Sequence, residues 1–435
     1  MKSTDVIIVG AGAAGLMVAY VLIMAGKTVT ILEARDRIGG RIYKSHNPLF
    51  SDTVELGAEF IHGNLPVTLD LLKEANIKTR GVSFEMWQYQ NNKFEQSEEF
   101  VEGWDRFLEK VNAVDNDMTL QAFLEENFEG KQFDTMRSQI ENYVAGYDTA
   151  DVNDASVFAL RNEWNHEDED AQHRVAGGYD SMIRYLEQTC IKGGAQIELD
   201  NIVKQITWSD DEVKVTTTTG SVYSAAKIII AMPLGVLQAP DDADGTVLFQ
   251  PPLLKQKEAL RNIGFGSVIK ILLEFEMIFW EGDTIKNAVG ADLSTMGFLF
   301  AEEEISTFWT QAPLHSPLLT GWIGGPPAHA LIGATNDKIL RLTLTSLSNI
   351  FKIDTEELKD KLIAWEVVNW TAEPFTRGSY AYNKVESPEA KKLLQQPVNN
   401  TIYFAGEYLY DGPAIGTVEA ALTSGKNAAE LVLET

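Results

Sequence analysis

The stretch Val6-Ile7-Ile8-Val9-Gly10-Ala11-Gly12-Ala13-Ala14-Gly15 constrains this chain more than any other part of it. An apolar run breaks into GxGxxG and resumes as Leu16-Met17-Val18-Ala19-Tyr20-Val21-Leu22. A buried strand that turns on glycines into a helix leaves bare backbone N–H groups aimed at one spot, with the positive end of the helix dipole behind them. Such a spot suits a pyrophosphate. The next apolar run, Thr28-Val29-Thr30-Ile31-Leu32, ends in Glu33, close to the offset of roughly 20 residues at which an acid bonds a ribose hydroxyl. Strand, glycine turn, helix, strand and acid together read as a dinucleotide-binding unit, with Gly10, Gly12, Ala14, Gly15 and Glu33 at the ligand.

The following residues narrow the ligand. Glu33-Ala34-Arg35-Asp36-Arg37-Ile38-Gly39-Gly40-Arg41 places a second glycine turn and three arginines directly after the acid. Ala34, Arg35, Gly40 and Arg41 thereby offer further donors to the phosphates and ribityl chain of a longer cofactor. FAD is favoured over NAD.

Downstream blocks recur in a specific order: Glu55-Leu56-Gly57-Ala58-Glu59-Phe60-Ile61-His62-Gly63, Val175-Ala176-Gly177-Gly178-Tyr179, Ala231-Met232-Pro233-Leu234-Gly235, Gly264-Phe265-Gly266-Ser267-Val268-Ile269-Lys270, Arg377-Gly378-Ser379-Tyr380, Phe404-Ala405-Gly406-Glu407 and Thr417-Val418-Glu419. In these motifs the chain resembles the flavin amine oxidase superfamily nearly end to end. The resemblance is closest to polyamine and spermine oxidases. It implies an α/β fold, with a Rossmann-like FAD-binding domain interwoven with an α+β substrate-binding domain. Expected boundaries are 1–72, 174–262 and 394–435 for the first domain, and 73–173 and 263–393 for the second.

The same resemblance assigns residues. Lys270, in a strand where an unpaired ammonium is costly, matches the lysine that holds a water against flavin N5. Tyr380 matches an aromatic lining the amine path, while Thr417 stands where monoamine oxidases place a second tyrosine. Ser379 occupies the position of the cysteine that attaches FAD in those enzymes, so noncovalent FAD is expected. His62 and Glu59 are expected to face the substrate amine. Gly57, Ala58, Glu59, Val203, Trp370, Gly406, Glu407, Thr417 and Val418 complete the expected cofactor contacts. The helix opening at Thr417 would direct its dipole at the flavin C2 carbonyl.

An amine oxidase follows from the resemblance: hydride leaves a carbon beside an uncharged amine, O2 becomes H2O2, and the imine hydrolyses. Aliphatic amines or polyamines are the first choice of substrate. An L-amino-acid oxidase is the alternative, although no arginine stands in Glu55 to Asn64 to receive a carboxylate. A FAD-stabilised binding protein without turnover is another.

Composition bounds the rest. The excess of acids, with a formal net charge of −27, argues against nucleic acid as a partner and favours cationic ligands. No apolar segment reaches the roughly 18 residues needed to cross a bilayer, so no membrane association is expected. The lone Cys190 excludes an internal disulfide and fits a reducing cytoplasm. No metal-ligand cluster stands out, and a monomer or homodimer is expected.

Apolar spacing predicts helices over Leu69–Ala75, Val101–Val114 and Met118–Val144. It also predicts a meander of strands from Gln196 to Ala231 and a buried strand over Val268–Phe275.

Overall fold

Val222–Ile230 is the strand around which the larger sheet is organised. Its first half pairs antiparallel with Glu212–Thr217, while Ile228, Ile229 and Ile230 pair in parallel with Ile402, Tyr403 and Phe404. Along its other edge runs Lys2–Val9, parallel, followed by Val29–Leu32 and Gln196–Glu198. Val203–Ser209 and Leu248–Gln250 complete eight strands beyond Glu212–Thr217. Parallel strands need helices on their faces, and accordingly residues 6–9 and Val29–Leu32 are buried, and apolar except for Thr30. These features belong to a computed structural model that describes residues 2–82, 85–96, 101, 103–166 and 172–435.

The helix Ala13–Met24 is buried from Ala13 through Ala19. It packs against the final helix, Val418–Glu434, so closely that a Cβ on Gly425 would run into the Ala14 carbonyl oxygen. The sequence ends of the larger sheet therefore meet beside the first glycine turn.

A second sheet has seven strands, in the order Leu362–Asn369, Val268–Phe275, Leu318–Gly324, Thr307–Trp309, Met296–Ala301, Glu85–Gln90 and Lys93–Gln96. Val268–Phe275 is buried at all positions because strands flank it on both edges. Between the two sheets lies a small one in which Gln172–Val175 pairs with Phe60–His62 and with Thr79–Gly81. The architecture is mixed α/β, as the sequence implies.

Two local expectations change, and one element is new. The helix expected over Met118–Val144 is interrupted: Leu120–Asn127 ends before Gly130, whose φ of 102° breaks the helical path, and Asp134–Gly146 starts anew. The helix expected over Val101–Val114 forms as Trp104–Asn112, and residue 102 lies outside the described residues. Glu85–Gln90 and Lys93–Gln96 form a hairpin in a stretch for which no element was expected. Its turn holds Asn91 and Asn92 at φ of 51° and 61°, the left-handed pair that fits the twist of a two-residue hairpin.

Candidate active site

A cavity of about 1350 Å³ runs from the first glycine turn to the face of the second sheet. At its first end the two glycine turns stack. Gly39 N–H donates to the Ala11 carbonyl at 2.9 Å, and a Cβ on Gly40 would lie 3.4 Å from Gly12 Cα. Gly10 needs its glycine for the fold, since its φ is +107° and a Cβ would lie 2.6 Å from the Ala231 carbonyl oxygen. Gly12 is different. Its φ of −76° suits any residue, and a Cβ there meets no protein atom within 4 Å. It faces open cavity, at the N-terminus of Ala13–Met24, which is the cradle a pyrophosphate requires.

Glu33 is buried at the end of its strand. Its carboxylate accepts from the Ala11 amide at 2.7 Å and the Arg35 amide at 3.0 Å while still lining the cavity. Ala14, Ala34, Gly40, Gly57, Ala58, Val203, Gly406 and Val418 line it as well. So do Trp370, whose indole N–H donates to the Leu56 carbonyl at 3.0 Å, and Arg35, which is engaged by Glu373 and Thr376. Arg41 donates to the Ser379 carbonyl and, at 3.0 Å, to Glu407, which also accepts from the Ala381 amide. Thr417 caps the last helix by accepting from the Ala420 amide, so that helix opens onto the cavity. A dinucleotide with a flavin ring fits this lining from the cradle to the helix terminus.

One expectation is corrected. Gly15 does not line the cavity: a Cβ there would strike the Gly10 carbonyl, so this glycine lets helix and strand close behind the ligand site. Arg37, the third arginine of the segment, lies with its guanidinium 3.7 Å over the Tyr43 ring and donates to the Ile38 and Gly40 carbonyls. It braces the second glycine turn.

The other end is built from charge. Lys270 is 1% exposed, and its ammonium donates to Glu59 at 2.8 Å and to the Gly57 carbonyl at 3.2 Å, with Trp309 at 5.5 Å. Glu59 also receives Arg174 at 3.0 Å, the Trp309 indole N–H at 3.2 Å and the Gln311 amide at 3.4 Å. Burial resists ionisation of Glu59, but Lys270 and Arg174 outweigh it and hold the carboxyl down to about 2. Close by, Glu55 accepts from the Tyr179 amide at 2.7 Å. Burial, then the Glu59 charge, pushes its carboxyl up to about 8.

His62 and Tyr380 reach the same cavity. His62 Nδ1 faces the Gln172 side-chain oxygen at 2.7 Å, and burial lowers its pKa, leaving a neutral imidazole whose lone pair is on Nε2. Tyr380 donates to the Tyr147 carbonyl, and Ser379 Oγ lies 2.6 Å from Thr149 Oγ1. Tyr147 and Tyr143 stack in parallel at 5.7 Å along the wall, with His62 edge-on to Tyr147. Asp134, Asp148, Glu163 and Glu302 also line the cavity; burial raises the Tyr380 pKa, and Asp148 and Glu163 lie close enough for their charges to raise it further.

Sequence reasoning missed Arg174, Trp309, Gln311, Tyr143 and Tyr147. Only the register of Gln172–Val175 on Phe60–His62, which sets Arg174 opposite Phe60, reveals the first of these.

A family model described as flavin containing amine oxidoreductase matches residues 13–433. The human lysine-specific histone demethylase 2 is 30% identical over 440 residues, covering 93% of this chain and 50% of the relative. The chain thus spans about half the length of the demethylases it matches. Polyamine oxidase 4 of Oryza sativa subsp. japonica is 26% identical, with 98% of this chain and 88% of the relative covered. Wild-type putrescine oxidase bound to putrescine has the same fold, with a TM-score of 0.80 at 19% identity, covering 100% of this chain and 99% of the other.

Proposed function

The chain belongs to the flavin-containing amine oxidoreductase family, and from that premise we propose that it oxidises aliphatic amines or polyamines, with noncovalently held FAD as its cofactor. When bound, FAD accepts a hydride at N5 from the carbon beside an uncharged amine and passes the electrons to O2, giving H2O2 and an imine that water hydrolyses.

The observation that carries the reading is the character of the cavity beyond Lys270. Neutral His62 and the aromatic faces of Tyr380, Tyr147 and Tyr143 form a passage for an alkyl amine. Asp134, Asp148, Glu163 and Glu302 along the same cavity suit the ammonium groups of a longer substrate. Hydride departs only from a carbon whose neighbouring nitrogen carries a free lone pair, and the neutral His62 imidazole lining the cavity supplies a base for the proton that an incoming ammonium must lose. Arg174 supports the amine reading over an amino-acid substrate, because Glu59 and the Thr310 and Ala312 carbonyls engage its guanidinium. Ser379, whose hydroxyl is hydrogen-bonded to Thr149, offers no thiol to attach the cofactor.

Purified protein is to be given spermidine, putrescine, an aromatic amine, L-amino acids and an N-methyl-lysine peptide in a peroxide assay. Turnover of the aliphatic amines is expected. Turnover of L-amino acids alone overturns the reading. A flavin that stays yellow when mixed anaerobically with every candidate points instead to a binding protein. Acid or heat is expected to release the flavin into the supernatant, and absorbance retained in the pellet contradicts noncovalent attachment.

A further inference from the structure

Lys270 carries its charge in company. Its ammonium has three N–H groups, and among the described residues two are taken, by the Glu59 carboxylate at 2.8 Å and the Gly57 carbonyl at 3.2 Å. One remains for whatever occupies the cavity. Arg174 binds the other oxygen of Glu59 at 3.0 Å from behind and is itself 5% exposed. Glu59 is thus held by two cations, an indole N–H and an amide, which fixes its position and through it the position of Lys270. Glu55, the other buried carboxyl near these cations, stays protonated below about 8 because of burial and the Glu59 charge. Glu59 is then the anion that balances them at neutral pH.

We infer that Glu59 is the positioning residue of the Lys270 ammonium and that its carboxylate cancels part of the positive charge Lys270 presents to the flavin. The inference rests on the flavin reading of the cavity and is independent of which amine is oxidised. A two-electron reduced flavin is an anion at neutral pH, so a cation beside it favours the reduced form and an anion disfavours it. The Glu59–Lys270 pair therefore sets the driving force for taking up a hydride against that for giving electrons to oxygen. In a dry site both charges act at close range, screened by little water.

The test is the midpoint potential of the bound flavin, titrated anaerobically against a redox dye in four proteins: wild type, Glu59→Gln, Lys270→Met and the double variant. Glutamine keeps an oxygen for Lys270 to donate to and removes only the charge. Its potential is expected to rise, that of Lys270→Met to fall, and that of the double variant to return between the two singles. A merely structural role predicts no opposite signs and no such return. Equal potentials in all four proteins, shifts of the same sign, or a double variant displaced as far as the larger single overturn the inference. If Glu59→Gln leaves Lys270 and Arg174 too poorly balanced to retain flavin, the double variant is expected to restore flavin content. Failure of that restoration also overturns it. A wild type that holds no flavin overturns the reading beneath it, an outcome distinct from a yellow protein with unmoved potentials.

Discussion

The two ends of the cavity are made from different materials. The cradle at Gly10, Gly12, Gly39 and Gly40 is backbone folded tightly enough to bring N–H groups to one place, from residues close together in the chain. The lysine end is side-chain charge, collected from Glu55 and Glu59 on one segment, Arg174 on a second and Lys270 on a third. A backbone site is specified by absence, since each glycine is needed for what it lacks. A charge site is specified by balance, and each member's effect depends on the others.

The sharpest break between the two ends is expected at Gly12. Valine there is compatible with φ of −76°, and its Cβ meets no protein atom within 4 Å, yet it fills the space of the pyrophosphate. Gly12→Val is expected to fold with wild-type circular dichroism and to purify without flavin. Near-normal flavin content would show that the cradle is not where phosphate binds. Gly10→Ala is the control in the opposite sense. Its positive φ and the Ala231 carbonyl are expected to cost the fold about 1–3 kcal/mol in a urea titration, whether or not cofactor is present.

At the charged end a single substitution is expected to spare the fold and change the chemistry. Lys270→Met keeps length and apolar stem, and Glu59 retains Arg174 as its counterion. Stopped-flow measurement is expected to show flavin bound but reoxidised by O2 on the order of 100-fold more slowly after anaerobic reduction by amine, the cost of removing one electrostatic stabiliser. Wild-type rates in both half-reactions would reduce Lys270 to a strand lysine.

Glu55→Gln sharpens the comparison through pH. In the unfolded chain Glu55 loses its proton near its ordinary value of 4.5, whereas in the folded protein it keeps it to about 8. The folded state therefore binds this proton more tightly. Glu55 contributes stability that is fully present below the lower value and is lost as pH rises through the upper one, at no more than about 1.4 kcal/mol per pH unit. Urea midpoints at about pH 5 and about pH 8 are expected to differ less in Glu55→Gln than in wild type. An unchanged difference shows that Glu55 titrates normally. The glycine end has no counterpart to this effect.

The smallest effect concerns encounter. With a net charge of −27, kcat/KM for a polyamine is expected to fall a few-fold as salt shortens the screening length from about 30 Å to about 3 Å. A flat profile would mean that the acidic surface serves solubility alone.

The same division explains what the sequence made legible. Val6–Gly15 and Glu33 announce themselves because strand, turn, helix and acid follow one another locally, and the structure places them at one end of the cavity. Lys270 is visible as a charge in an apolar strand, but its partners are not: Glu59 and Arg174 come together only through the pairing of Phe60–His62 with Gln172–Val175. Arg37 was legible only as one of three arginines around a glycine turn, and the Tyr43 ring beneath it shows that it is a brace. The hairpin at 85–96 was within reach, since Asn91-Asn92 sits between alternating Trp87, Tyr89 and Phe94. Tyr143 and Tyr147, one helical turn apart near the end of Asp134–Gly146, read equally well as core.

The packing of Val418–Glu434 on Ala13–Met24 also sets an order in time. The strand Lys2–Val9 and its glycine turn leave the ribosome well before their neighbour Ile228–Ile230, and the helix that covers Ala14 follows later still. Glu419, on that last helix, accepts from the amides of Val67 and Thr68 at 3.0 and 2.7 Å and so holds the start of Pro66–Glu74. Nascent chains stalled before residue 418 are thus expected to hold an open cradle, and the nucleotide pocket closes only when Val418–Glu434 packs on Ala13–Met24.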